Sequence, residues 1–414
     1  MNTSCTNSIQ EVRTPLFMSC YYIFCMLYSL HAYMFWHIEN TTITLIIFTL
    51  TLLVHTVYSK YYHFHNKMIV TLCVVIAVLT GTHGNMNGYI FNVINLFPFL
   101  SFLFLNDKYK YGVFSLWRKV LCVIISISLI AYSLVMVGVN IPSFMDFYGD
   151  VTGTGYYIAR NYFLFIQLHS IYTDIALVRF QSIFLEPGFL ACLIVMMFYI
   201  DRFNFTKRRS NIILLVAFIL TFSIAGYLLF IVFYIIRTMK GSRYKLLSII
   251  GLSFFVMGIY LYGTYYNDGN NEVNTQIFRR LQYDSERGTI EGYNRTTEAF
   301  DAYFDNFIFS SNAIMGDYQG YERIFSGGGP NVGIKYYIVV YGLLGLVTYC
   351  LFLLSPFYRM IKKNYFTLFY MILWFVIFAR GNYVMWMNAF LITYIWGLIV
   401  IENEPKTIMV KSVK

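Results

Sequence analysis

The stretch RFQSIFLEPGFLA (179–191) places an arginine, a glutamate and a proline at the head of an apolar run that continues to Ile200. Charges entering lipid cost free energy, and Pro187 lacks a backbone donor, so each needs a reason to stand there. A guanidinium forks two hydrogen bonds onto a phosphate or carboxylate. A neighbouring carboxylate can orient that fork or accept a proton from a hydroxyl. Proline favours the first helical position and its predecessor avoids helical backbone, so a helix is expected to start at Pro187 with Glu186 as its cap. Such a helix, ending at Ile200, rises about 21 Å at 1.5 Å per residue, short of a ~30 Å hydrocarbon core. Its N-terminal amides then lie below the outer surface and face a cavity, where they attract anions. On these residues alone a plainer alternative stands beside this one: Arg179 snorkels to the interface and Glu186 only caps the helix.

The elements that must position these groups follow from composition. The chain has 414 residues, 58% hydrophobic and 12% charged. Apolar runs of roughly 17–25 residues recur along nearly its whole length, the pattern of membrane helices and not of a soluble enzyme. The first run, 16–36, lacks a small-residue cleavage site and reads as an uncleaved anchor. Net charge is +10, but the basic residues sit mostly in short loops between apolar runs, which points to membrane topology and away from nucleic acid. Seven cysteines show no zinc spacing, and none lies in the long loops, so neither a disulfide framework nor a metal is expected.

Spans are expected near 16–36, 42–58, 68–82, 89–105, 119–139, 183–200, 246–264, 332–354, 366–379 and 386–401. The segment 211–236 is long for one crossing and short for two. The basic loops 59–67, 106–118, 201–210, 237–245 and 355–365 and the C-terminal tail belong on the cytoplasmic side. Loops 201–210 and 237–245 share a side only if 211–236 enters and returns, as a hairpin turning near TFSIAG (221–226). The expected fold is thus a single all-α polytopic membrane domain over 1–414. It makes about 12 crossings with both termini cytoplasmic, and two larger loops, 140–182 and 265–330, face outward.

Loop 265–330 holds ten acidic residues and five arginines (Arg279, Arg280, Arg287, Arg295, Arg323) with no lysine. Arginine without lysine suits planar, bidentate anion binding. Within it, NRTTEAFDAYFDNFIF (294–309) has apolar residues at helical spacing, with Asn294 or Thr296 as cap. That amphipathic helix fits either the membrane rim or a packed position on the bundle. His169 has no partner at metal-ligand spacing and reads as a surface or packed histidine. Arg380, in the turn ARGNYVMW, either faces the same cavity or anchors at the interface, the commoner fate of such a residue. SGGGPNVG (326–333) reads as a hinge and GTG (153–155) as a loop turn, since no phosphate-loop pattern accompanies either.

Arg179, Ser182, Phe184, Glu186 and Pro187, then Thr221, Ser223 and Gly226, then Arg295 with NAIMGDYQG (312–320) and NVGIKYYIVVYGLLG (331–345), resemble the O-antigen polymerase family (Wzy), which is related to the O-antigen ligases. The resemblance covers about 179–345. It implies lipopolysaccharide biosynthesis in a bacterial inner membrane. The substrates would be undecaprenyl-diphosphate-linked oligosaccharides, joined on the periplasmic side by glycosyl transfer with no cofactor. A chain-length regulator protein is the implied partner. Arg179, Arg295 and Glu186 become the catalytic candidates, with Arg280, Arg287, Arg323 and Asp305 as substrate-binding candidates and Asp301 and Glu298 as alternative carboxylates. With no metal pair at a plausible outer site, arginines are left to neutralise the diphosphate leaving group. Ligases of this group carry a histidine near the position of Asn331, and this chain has none from 170 onward, which favours polymerase over ligase. A flippase is expected to show internal repeats and short outer loops, and neither is visible.

Overall fold

The computed structural model describes residues 14–63, 86–143, 145–148, 157–162, 164–170, 179–184, 186–205, 209–238, 245–284, 289–290, 297–325, 333–354, 365–381 and 387–403. The expected span at 68–82 and the turns at 153–155 and 326–332 lie outside them. The first helices are α1 (Leu16–Ser29), α2 (Asn40–Tyr58), α3 (Met86–Phe104) and α4 (Asp107–Met136). A three-stranded antiparallel sheet follows: β1 (Met145–Tyr148), β2 (Tyr157–Asn161) and β3 (Ile166–Ser170). Then come α5 (Pro187–Ile200), α6 (Arg209–Leu220), α7 (Ile224–Thr238) and α8 (Lys245–Tyr265). A strand pair, β4 (Tyr283–Asp284) and β5 (Thr289–Ile290), precedes α9 (Glu298–Phe307) and α10 (Tyr318–Phe325). The chain closes with α11 (Ile334–Leu354), α12 (Tyr365–Arg380) and α13 (Asn388–Glu402).

Helix α5 is the axis. All fourteen of its residues are buried, and it packs against α6, α7, α12 and α13. Helix α13, almost as fully buried, joins α5 to α1, α3, α4 and α12. A helix apolar on every side needs protein or lipid on every side. The outer helices turn apolar side chains outward instead, with Leu45 65%, Ile130 64% and Phe254 74% exposed. Among the described residues three helices are long and apolar enough to cross a membrane, and several shorter apolar ones accompany them. An apolar exterior around a buried helical centre points to an integral membrane protein.

The expected hairpin is present as two short helices. Phe222, at φ +47°, breaks the chain between α6 and α7. Phe218 meets Tyr227 and Phe230, with ring centroids 5.3 Å apart in both pairs. On one continuous helix Phe218 and Phe230 would stand about 18 Å apart. Thr221 Oγ1 accepts from the Ser223 amide (3.3 Å), and Ser223 Oγ from the Gly226 amide (3.3 Å). Gly226 lets α7 close onto α5, since a Cβ there would fall 2.8 Å from the Ala191 Cβ.

Other expectations need correction. The stretch 106–118 is not a loop: Asn106 caps α4, and Arg118 is buried. Its guanidinium donates to Asp201, Asn211 and Ser210, tying α4 to the end of α5 and the start of α6. Part of 140–182 is sheet. The span 332–354 is broken at Gly342, at φ +70°. The amphipathic helix, capped by Thr297 Oγ1 on the Phe300 amide (3.2 Å), buries Phe300 and Phe307 against Tyr321, Ile338 and Val339. Protein therefore covers its stripe, which settles the packed placement.

Candidate functional site

The segment RFQSIF (179–184) is an irregular strap with no helix or strand of its own. Its backbone groups are nonetheless paired. The Phe180 amide donates to Leu220 O (2.8 Å), Ile183 O accepts from Tyr33 (3.0 Å), and Ser182 O accepts from Ile166 (2.9 Å). Phe180, Ile183 and Phe184 are buried, and Phe180 packs its ring against Phe165 and Tyr132. Ser182 stands at φ +57° with its Oγ 2.7 Å from Ser128 Oγ. Irregular backbone inside a membrane protein survives only when its polar groups are satisfied this way.

The strap holds Arg179 and the start of α5 holds Glu186. Arg179 Nε donates to Thr221 O (3.2 Å), so the hairpin turn aims the guanidinium. Pro187 is the first residue of α5, and Glu186 occupies the cap position in extended backbone, as expected. The Glu186 side chain makes no capping hydrogen bond. It lines a cleft of about 260 Å³ including its open mouth, with Gly188, Cys192, Ile377, Arg380 and Phe390.

Electrostatics joins the groups. Burial and the nearby Arg280 and Arg380 guanidiniums push the Arg179 pKa down to about 10, while Glu186 and Tyr227 work the other way. Arg179 therefore stays cationic at neutral pH but in surroundings that disfavour its charge, which is the environment an anion relieves. Arg280, on a short 3-10 turn (Arg279–Leu281), lies close enough to act on Arg179.

Of the expected site residues, Arg179, Glu186 and Arg280 are brought together. Arg287 and Arg295 lie outside the described residues. Arg323 and Asp305 are exposed on α10 and α9, and nothing in the described structure joins them to the Arg179 group. Their helices pack on α11. Asp301 pairs with Lys335 at 2.7 Å, and Glu298 is exposed. Of the two placements open to Arg380, the structure shows the one facing the start of α5: a Cβ at Gly188 would lie 3.5 Å from Arg380 Nη2. Its place at the end of an apolar helix is the same for both fates, so only tertiary packing distinguishes them. His169 lies on β3 opposite Ile158. Among the described residues no three or more His, Cys, Asp or Glu converge as a metal-binding group.

Comparison with known protein families, with characterised proteins and with solved structures finds no match.

Proposed function

We propose that this chain polymerises oligosaccharide repeat units carried on undecaprenyl diphosphate, by glycosyl transfer at an outer-side site of a bacterial inner membrane. The observation that carries the reading is the placing of Glu186 at the start of a short, wholly buried helix, with Arg179 close enough to feel its charge and Arg280 close enough to act on Arg179. The motif resemblance over about 179–345 supplies the substrate class.

In the proposed reaction the anomeric carbon of the growing glycan leaves its diphosphate oxygen and bonds to a hydroxyl of the next lipid-linked unit. Glu186 takes the hydroxyl proton as general base. Arg179 and Arg280 neutralise the departing diphosphate, with Arg295 as a further candidate. Charge-assisted forks in a partly desolvated site do this without reorganising at the moment of transfer. Helix α5, about 21 Å long, and helix α6, about 18 Å, support a recessed site, since both are shorter than the ~30 Å core. The proposed topology has about 12 crossings and cytoplasmic termini, with 140–182 and 265–330 on the periplasmic side.

A gel of surface lipopolysaccharide from the source strain with this gene deleted tests the reading. The expected result is core bearing a single repeat unit, because flipping and ligation continue. Core without any repeat overturns it. Undecorated lipid-linked polymer accumulating beside that core selects the ligase, and its absence selects the flippase.

A further inference from the structure

Arg380 ends α12 and reaches the start of α5 from the α12 side, whereas Arg179 comes from the strap and is held by the hairpin turn. Between Arg380 and Glu186 lies Gly188, the second residue of α5. A Cβ there would stand 3.5 Å from Arg380 Nη2 and 3.9 Å from Glu186 Oε2. The glycine thus leaves a notch, open to the cleft, with a guanidinium and a carboxylate on its walls. Arg280 and Arg380 both act on the Arg179 guanidinium here, and Glu186 opposes them. That set carries an excess of positive charge matching the two negative charges of a diphosphate diester. Like charges converge at a cost unless an anion joins them.

We propose that Arg380 is a third diphosphate-binding residue, gripping the anion across the Gly188 notch from the α12 side. This rests on the reading of the site as one for polyprenyl diphosphates. It adds the last helix pair to a site the motifs confine to 179–345. Gly188 belongs to the device because a side chain there fills the space between cation and carboxylate.

The test uses the full chain in lipid nanodiscs, with farnesyl diphosphate as probe and farnesyl monophosphate as control. Arg380→Ala is expected to weaken diphosphate binding about tenfold while changing monophosphate binding far less. Arg380→Gln, closer in shape, serves if the alanine variant does not accumulate and is expected to lose as much. Gly188→Val, which leaves every charge in place, is expected to weaken diphosphate binding by a similar factor. If wild type binds diphosphate, Arg179→Ala loses it, and both Arg380 variants bind like wild type, the inference is overturned and the reading of the site stands. If wild type does not prefer diphosphate to monophosphate, the reading itself fails and Arg380 with it.

Discussion

At the scale of single residues, Arg179 and Ser182 show how much a local spacing reveals. Arg179 is half-buried, aimed by one backbone carbonyl, and set where neighbouring guanidiniums disfavour its charge. Arg179→Ala is expected to abolish chain elongation on a lipopolysaccharide gel while membrane levels of the protein stay unchanged. Arg179→Lys is expected to fail as well, because an ammonium lacks the planar fork. Full-length polymer in either variant removes the diphosphate clamp. Ser182 makes a different demand, since its left-handed backbone suits glycine best. Ser182→Gly is expected to keep near-normal thermal stability in detergent, losing the Ser128 hydrogen bond but relieving strain. Ser182→Val is expected to cost about 1–3 kcal/mol, because a β-branched residue tolerates that backbone poorly. Equal midpoints for the two variants count against strap strain. Arg179, Glu186 and Pro187 were legible because charge and proline are rare at the head of an apolar run. The left-handed turn at Ser182 was not, because serine carries no compositional mark of positive φ.

At the scale of elements, two junctions depend on close approach. Gly316 (φ +85°) and Gly342 (φ +70°) meet backbone to backbone. A Cβ on Gly342 would lie 2.2 Å from Ile314 O, and one on Gly316 would lie 2.3 Å from Val340 O. The Asp317 amide donates to Val339 O (2.7 Å) and the Leu344 amide to Ile314 O (3.0 Å), so the segment 314–317 is seated in the break of α11. Gly342→Ala is expected to cost at least about 1–3 kcal/mol in strain and to loosen that seat. Faster protease cleavage of the outer loop in spheroplasts is the readout, and an unchanged rate refutes the seat. Arg118 makes the second junction, where its buried guanidinium meets a buried Asp201. Arg118→Ala is expected to destabilise the fold by about 3–5 kcal/mol, since it removes one partner of a buried ion pair. A detergent melting curve measures it. The glycines were visible as motif letters without their contact. Arg118 was misread as loop because a lone buried ion pair and a solvated basic loop look alike along the chain.

At the scale of the whole molecule, the apolar periodicity marked nearly every described helix, and the charge of the connecting loops resolved the one ambiguous segment. The small sheets escaped because two to five residues per strand give too short an alternation to stand out among aromatic-rich loops. The hairpin is the test of sidedness. Phe198 near the end of α5 touches Phe203, Phe205 and Phe230. The Arg237 guanidinium lies over the Tyr199 and Phe366 rings. The end of α7 therefore returns to the level where α5 ends, while the α6–α7 turn stands at the level of Arg179. The ends of α5 and α7, from which the basic segments 201–210 and 237–245 continue in the sequence, thus lie at one level. If positive charge marks the cytoplasmic side, the Arg179 site opens outward. In a cysteine-free background, Ser242→Cys is expected to react with a membrane-permeant maleimide and not with an impermeant one applied to intact cells. Labelling by the impermeant reagent would turn the bundle over. It would place Arg179, Glu186 and Arg280 on the cytoplasmic side and end the case for an outer-face polymerase, whatever the variants bind.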